Sequence, residues 1–232
     1  MVPRIPRTWA VTAAVAAAVV LLPARGSASF HLMQIEQVIG GVGGDVTQQA
    51  IQLRMRFAGQ NIVSQARLRA WNSAGASPVT ILTIPGDVAN FAAGSRVLIA
   101  SAAFAAHGPT PDFTMTALIP PSYLAAGKLT FEETATGNVY WAVAWGGASY
   151  TGTNTGITVG GGGNEDDGNF NPPFGSALPS ASTTALRFSG AIGDPSTTNS
   201  AQYAVTPGAA TFTNNAGATG TVPVTLIDIA VE

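Results

Sequence analysis

Apolar and polar residues alternate with a period of two along much of the chain, and this pattern predicts β-strands. The clearest case is a hairpin at 127–147, in which residues 134–137 supply the turn. Its second strand places four large apolar side chains on one face: Val139, Trp141, Val143 and Trp145. Because buried aromatic side chains contribute large apolar areas, we expect this hairpin to lie near the centre of a sheet.

The same alternation recurs in most of the remaining chain. It predicts further strands at 30–39, 51–57, 62–71, 78–84, 94–100, 183–189, 202–205, 209–213 and 221–231. The segments at 202–205 and 209–213 are the weaker ones, and the pattern as a whole indicates about nine strands. In 30–39 the alternation places Met33 and Ile35 on one face and Glu36 and Val38 on the other.

Strands at these intervals predict an all-β protein, a β-sandwich forming one domain over residues 29–232. The segment 102–121 is irregular, and 149–182 is a long loop rich in glycine and asparagine. Loops of this length are usually functional or mobile. The glycine run at 160–163 is not followed by a helical pattern, so it lacks the context of a phosphate-binding loop.

The amino-acid composition supports this fold and excludes every function that depends on cysteine. Only 9% of the residues are charged, and the 27 glycines and 15 prolines are typical of a turn-rich β protein. A hydrophobic content of 46% is enough for a buried core. The chain has no cysteine, which excludes disulfides, cysteine-ligated zinc and thiol catalysis.

The first 28 residues read as a secretory signal peptide. Arg4 and Arg7 precede an uncharged, mostly apolar run at 9–22, and small residues precede the expected cleavage after Ala28. The alternative is a retained membrane anchor, but the run is shorter than the roughly 20 residues that span a bilayer. We therefore expect a secreted protein, extracellular or at the cell surface, without a stable membrane anchor.

Cleavage makes the mature chain more acidic. The loss of Arg4, Arg7 and Arg25 leaves seven basic residues against twelve acidic ones, a formal charge of −5. This balance disfavours binding to nucleic acid through general charge.

The order of the segments over roughly 30–215 resembles the lamin-tail domain in its secreted bacterial form. Four matches carry the resemblance: Ile35-Glu36-Gln37-Val38 in the first strand, Pro85-Gly86 before a strand, Trp145-Gly146 ending the hairpin, and Leu186-Arg187, Asn199, Tyr203 and Thr206-Pro207 near the end. The family's Ile-Glu-Leu-x-Asn strand is replaced by Ile51-Gln52-Leu53-Arg54-Met55. The resemblance implies an immunoglobulin-like β-sandwich, a non-catalytic interaction module and no catalytic residues.

Four arginines are the candidate binding residues. Arg54 and Arg56 alternate with apolar residues in one predicted strand, and Arg67 and Arg69 do so in the next. If the two strands pair as a hairpin, the four side chains form a basic strip for an anionic polymer. The alternative is a solvent-facing surface on which Glu36, Glu132 or Glu133 neutralises the arginines, since like charges directly opposite one another destabilise a sheet.

The segment 164–169 combines carboxylates and amides in a glycine-rich loop, which are the oxygen ligands that Ca²⁺ takes. Its spacing differs from that of an EF-hand, and the alternative is a solvated loop tip. Neither His31 nor His107 has a metal-ligand pattern beside it, and the chain has no Gly-x-Ser-x-Gly motif.

The sequence thus favours a secreted, non-catalytic binding, adhesion or structural module. Its expected partner is extracellular, either an anionic polymer or another protein. One alternative is a secreted hydrolase of glycans or phosphoesters acting from the 149–182 loop, which would need two carboxylates, or a carboxylate and a histidine, in one cleft. Another is a matrix subunit that assembles through its edge strands.

Overall fold

The computed structural model describes residues 30–153, 170–194 and 198–223, which form an all-β sandwich. Two sheets of six and four strands face each other across a shared core, and a separate two-stranded hairpin lies outside them. The predicted fold class is therefore confirmed. The described residues contain twelve strands rather than about nine, because strands of two or three residues carry too little alternation to be recognised in the sequence.

The strands, in chain order, are β1 (Met33–Ile39), β2 (Ala50–Met55), β3 (Ala66–Trp71), β4 (Val79–Thr83), β5 (Arg96–Ala100), β6 (Phe113–Thr114), β7 (Gly127–Glu133), β8 (Val139–Trp145), β9 (Leu186–Phe188), β10 (Tyr203–Val205), β11 (Thr211–Thr213) and β12 (Thr219–Thr221). A one-turn helix, α1 (Asn199–Gln202), leads into β10. Single 3₁₀ turns lie at Val63–Gln65, Phe104–Ala106, Pro121–Tyr123 and Gly147–Ser149. Among the described residues, no helix is both long and apolar enough to cross a membrane.

The six-stranded sheet has the order β10-β9-β1-β2-β5-β6, and the four-stranded sheet has the order β4-β3-β7-β8. All pairs are antiparallel except β5 with β6. The predicted hairpin at 127–147 forms as β7 and β8, and Trp141 and Trp145 are completely buried on its inner face. Its end requires glycine, because Gly146 has φ of 97° and a Cβ there would lie 2.4 Å from the Ala126 Cβ.

A bulge in β1 corrects the predicted facing of that strand. The pairing of β1 with β2 skips Glu36, so Glu36 is an extra residue between Ile35 and Gln37. Alternation predicted that Val38 and Ile35 lie on opposite faces, and this was wrong, since both lie in the core between the sheets. The bulge leaves the Glu36 carboxylate on the outer face of the six-stranded sheet, among arginines of neighbouring strands.

Segments late in the chain cover part of each outer face. The β11–β12 hairpin lays Phe212 on the six-stranded sheet, 5.1 Å from the ring of Phe104, and closes a second apolar cluster. Phe170 packs edge-on against Tyr150 at 5.3 Å and closes a third cluster on the four-stranded sheet. On the six-stranded sheet, the part of the outer face that stays uncovered therefore lies beside the β11–β12 hairpin.

Candidate functional site

The four predicted arginines do not form one strip. Strand β2 pairs with β1 and β5, whereas β3 pairs with β4 and β7 in the opposite sheet. The expected β2–β3 hairpin was therefore wrong, because the chain crosses between the sheets through the 3₁₀ turn at Val63–Gln65. A period of two identifies a strand and its faces, but it carries no information about which strand lies beside it.

Arg67 and Arg69 share one carboxylate on the four-stranded sheet. The Glu132 Oε2 lies 3.0 Å from the Arg67 Nε and 2.7 Å from the Arg69 Nη2, and the Glu132 side chain is fully buried. The Arg69 guanidinium also stacks over Trp71 at 4.5 Å. These contacts agree with the alternative in which Glu132 is a partner of the arginines, and they give both side chains a role within the sheet.

Arg56 is not a surface residue. Only 2% of it is exposed, its guanidinium lies 5.5 Å from the centre of the Trp141 ring, and its Nη2 donates to the Gly193 carbonyl at 3.4 Å. A side chain held in this way cannot reach a polymer in solvent.

Arg54 belongs to a different group, which we call the Glu36 cluster: Glu36, Gln52, Arg54, Arg96 and Arg187. The buried Glu36 carboxylate contacts Arg96 through its Nε at 2.6 Å and its Nη2 at 3.0 Å, and it accepts the Gln52 amide at 2.7 Å. The Arg54 Nη1 is farther away at 3.4 Å and the Arg187 Nη2 at 3.8 Å. Three arginines thus share one carboxylate, which leaves two positive charges in excess.

A groove of about 650 Å³ opens over this cluster. Arg54 and Arg187 line it together with residues 188–190 and residues 204–211, which run from β10 to the start of β11. The Arg54 Nε donates to the Gln34 amide oxygen, while the Arg54 Nη2 is buried without a hydrogen-bond partner among the described residues. The groove therefore presents guanidinium groups that are only partly neutralised.

The two embedded arginines respond differently to this environment. Burial lowers the pKa of Arg54, and the charges of Arg96 and Arg187 lower it further against the opposing effect of Glu36. The hydrogen bonds to Glu36 raise the pKa of Arg96. Arg96 is therefore the main partner of the Glu36 carboxylate, and the charge of Arg54 is less well compensated.

Arg96 and Arg187 were missed as site residues in the sequence. Arg187 stands between Leu186 and Phe188, which is the same alternation that singled out Arg54, so a signal for it was present. Arg96 opens a buried strand and has no such pattern around it. Only the strand order brings the two side chains to Glu36.

A buried lysine lies on the outer face of the opposite sheet. The Lys128 Nζ lies 5.1 Å from the Trp71 ring centre, 5.4 Å from that of Phe170 and 3.5 Å from the Thr153 carbonyl oxygen. Burial lowers its pKa to about 8, against the attraction of Glu132 and with the help of Arg69.

This lysine makes the stability of the protein depend on pH. Between pH 8 and its unfolded pKa near 10.5, the unfolded chain binds the Lys128 proton more tightly than the folded chain. The free energy of unfolding should therefore rise as the pH rises, by about 1–2 kcal/mol between pH 8 and pH 9.5. Above about pH 10.5 the trend should reverse, because the contribution of Lys128 is then nearly complete, while burial raises the pKa of Tyr150 and the unfolded chain loses the tyrosine proton first. Urea unfolding across this range measures the rise, and Lys128→Met should abolish it; a rise retained in the variant would assign it to another group.

The described residues bring two carboxylates to one other depression. Asp87 and Asp112 line a cavity of about 510 Å³ together with Asn90 and Asn215. The Asp112 carboxylate accepts the main-chain N–H of Leu98 at 2.7 Å and that of Asn215 at 2.8 Å, and burial raises its pKa. Asp112 thereby joins β5 to the turn after β11.

The other predicted candidate residues for catalysis or metal binding do not come together in the described part of the chain. His31 packs beside Tyr140 and His107 beside Phe104, in separate parts of the fold. Within the described ranges, no group of three or more histidines or carboxylates is placed to hold a metal ion. The predicted Ca²⁺ loop at 164–169 lies outside these ranges and stays a prediction.

No protein-family model, curated protein or solved structure matches the chain. Its function is therefore inferred from the site itself.

Proposed function

We propose that the protein is a secreted, non-catalytic module that binds an anionic extracellular polymer in the groove over the Glu36 cluster. The observation that carries the proposal is the excess of two arginine charges at Arg54 and Arg187, both of which line the groove. Guanidinium groups are suited to this task, because they keep their charge and donate in a planar fork to carboxylates and phosphates.

The net charge of the protein limits the kinds of polymer that it can bind. The mature protein carries a formal charge of −5, so its net charge does not attract polyanions and binding depends on local contacts such as those in the groove. A polymer whose anionic groups are spaced along a neutral chain suits such a local site better than nucleic acid does.

The proposed compartment and family rest on the sequence. The signal peptide at 1–28 supports secretion, and the resemblance to the lamin-tail domain supports an interaction module. Two residues that carry the resemblance are buried in the structure. Asn199 is buried and accepts the Ala144 N–H at 2.6 Å, and Tyr203 is buried between the sheets.

Binding to immobilised polysaccharides tests the proposal. We expect the purified protein to bind acidic polysaccharides and not neutral ones, with an affinity that falls as salt is added. Arg187→Gln should weaken binding by about tenfold, because it removes one charge-assisted contact. The Arg187 side chain is 52% exposed, so this variant should fold normally.

The matched control is Arg67→Gln, an arginine of the opposite sheet that pairs with Glu132. It removes the same charge from the protein but not from the groove, so binding should be unchanged. An equal loss in both variants would indicate attraction through net charge alone. Unchanged binding in Arg187→Gln would show that the groove is not the binding site.

A secreted hydrolase of glycans or phosphoesters is the second candidate function, and the depression with Asp87 and Asp112 is the observation in its favour. Residues 154–169 of the loop first considered for it, 149–182, lie outside the described residues. Incubation with the bound polysaccharide distinguishes the candidates. Release of reducing ends or phosphate that is lost in Asp87→Asn would establish the hydrolase, whereas an intact polymer supports the binding module.

A further inference from the structure

We infer that the group recognised in the groove is a phosphate monoester carried by a sugar unit of the polymer, an inference that rests on the binding function proposed above. The arrangement of the Glu36 cluster carries it. Arg96 contacts Oε2 of Glu36 through its Nε and Oε1 through its Nη2, and this two-point contact neutralises the carboxylate. The two uncompensated charges therefore belong to Arg54 and Arg187, the two arginines that line the groove.

Arg54 has unused donor capacity. Its side chain is only 13% exposed, and its Nη2 has no hydrogen-bond partner among the described residues. A buried donor on a charged group is costly to leave unsatisfied. Arg187 completes the site from the neighbouring side, since its side chain is half exposed and its contact with Glu36 is the longest in the cluster. Among the described residues, Glu36 is the only carboxylate within ion-pair distance of either arginine.

The charge of the site selects among anions. A phosphate monoester carries a charge of about −1.5 to −2 at neutral pH and three acceptor oxygens. It can compensate the charges of both arginines at once, and it can accept hydrogen bonds from the exposed guanidinium group of Arg187. A carboxylate, a sulfate ester or a phosphodiester carries one negative charge and leaves one arginine uncompensated.

The walls of the groove favour a sugar as the carrier of the phosphate. The hydroxyls of Thr206 and Ser189 already donate to the carbonyls of Gly208 and Gln202. The groove is also lined by Phe188, Val205 and Pro207, apolar side chains against which the C–H face of a sugar ring can pack. A volume of about 650 Å³ exceeds what a phosphate alone needs and accommodates a sugar ring beside it.

The test compares three ligands that share a hexose ring and differ at C6: glucose 6-phosphate, glucose 6-sulfate and glucuronic acid. Calorimetric titration of the purified protein at pH 7.5 should show glucose 6-phosphate binding about tenfold more tightly than the other two, since it alone engages both arginines fully. At pH 5 the phosphate takes up its second proton, whose pKa is about 6, and its advantage should shrink severalfold. Binding of the sulfate should not change between these pH values.

Two variants locate the effect. Arg187→Gln should reduce the affinity for glucose 6-phosphate to that for glucose 6-sulfate, because one positive charge then remains in excess. Arg67→Gln should leave all three affinities unchanged. Equal thermal midpoints of the two variants and the unmodified protein would show that folding is not responsible.

Each remaining outcome has a definite meaning. Equal affinity for the three ligands would overturn the phosphate assignment and leave the proposed polymer binding in place. Retained polysaccharide binding with no binding of glucose 6-phosphate would likewise overturn the inference alone. Tighter binding of a phosphoserine peptide than of glucose 6-phosphate would overturn the sugar assignment. Loss of polysaccharide binding altogether would end both proposals.

Discussion

Replacing Trp141 with alanine is expected to lower the free energy of unfolding by about 4 kcal/mol. Trp141 is completely buried and lies edge-on to Phe188 at 5.5 Å. Its indole N–H donates at 2.8 Å to the Tyr203 hydroxyl, which in turn donates to the Ile35 carbonyl of β1. One side chain therefore links the four-stranded sheet to β9, β10 and β1 of the six-stranded sheet, and its loss opens a cavity between the sheets.

Urea unfolding of Trp141→Ala and Trp141→Phe measures this contribution. The phenylalanine variant keeps most of the packing and loses the indole donor, so it should cost about 1–2 kcal/mol. A loss below 1 kcal/mol in Trp141→Ala would mean that the sheets are not held together at this point.

Glu36→Gln is expected to destabilise the fold by about 3 kcal/mol, because it leaves three neighbouring arginines without a counter-charge. Glu133→Gln is the matched control. Glu133 is only partly buried and its carboxylate accepts a hydrogen bond from the Thr136 hydroxyl, so its replacement should change stability by no more than about 0.5 kcal/mol. Equal small losses in the two variants would show that the arginines are neutralised by solvent rather than by Glu36.

The same substitution should have the opposite effect on ligand binding. Removal of the carboxylate increases the positive charge beneath the groove, so the affinity of folded Glu36→Gln for an acidic polysaccharide should rise. Binding assays below the unfolding transition measure this change. A fall in affinity would mean that Glu36 acts mainly by holding Arg54 and Arg187 in position.

The sequence alone predicted the fold class, because a strand that buries one face has alternating apolar and polar residues. Strands β2, β3, β7 and β8 each lie within a segment of clean alternation, and the buried tryptophans of β8 were predicted to face the core. Short strands such as β6 show no such alternation, because two residues do not make a period.

The candidate site was only partly predictable. Arg54 was named from its alternation and does line the groove, and the carboxylates of Glu36 and Glu132 were named as partners of the arginines. Arg67 and Arg69 were grouped with Arg54 on the assumption that neighbouring strands pair, and the structure separates them. Neighbours along the chain pair often but not always, so that assumption had no support within the strands themselves. Arg56 was grouped with Arg54 by alternation within one strand, but it lies just beyond the end of β2 and is buried against Trp141.

What the sequence determined by itself is which residues of the regular strands face the core, since that depends on local periodicity and on the hydrophobic effect. What only the tertiary structure decided is the composition of the site. The Glu36 cluster draws on strands far apart in the chain, β1, β2, β5 and β9, and Glu36 itself is the extra residue of the bulge in β1. Strand order and bulges arise from the packing of whole sheets, because the hydrogen bonds of a strand can be satisfied by many partners and only the shared core selects among them.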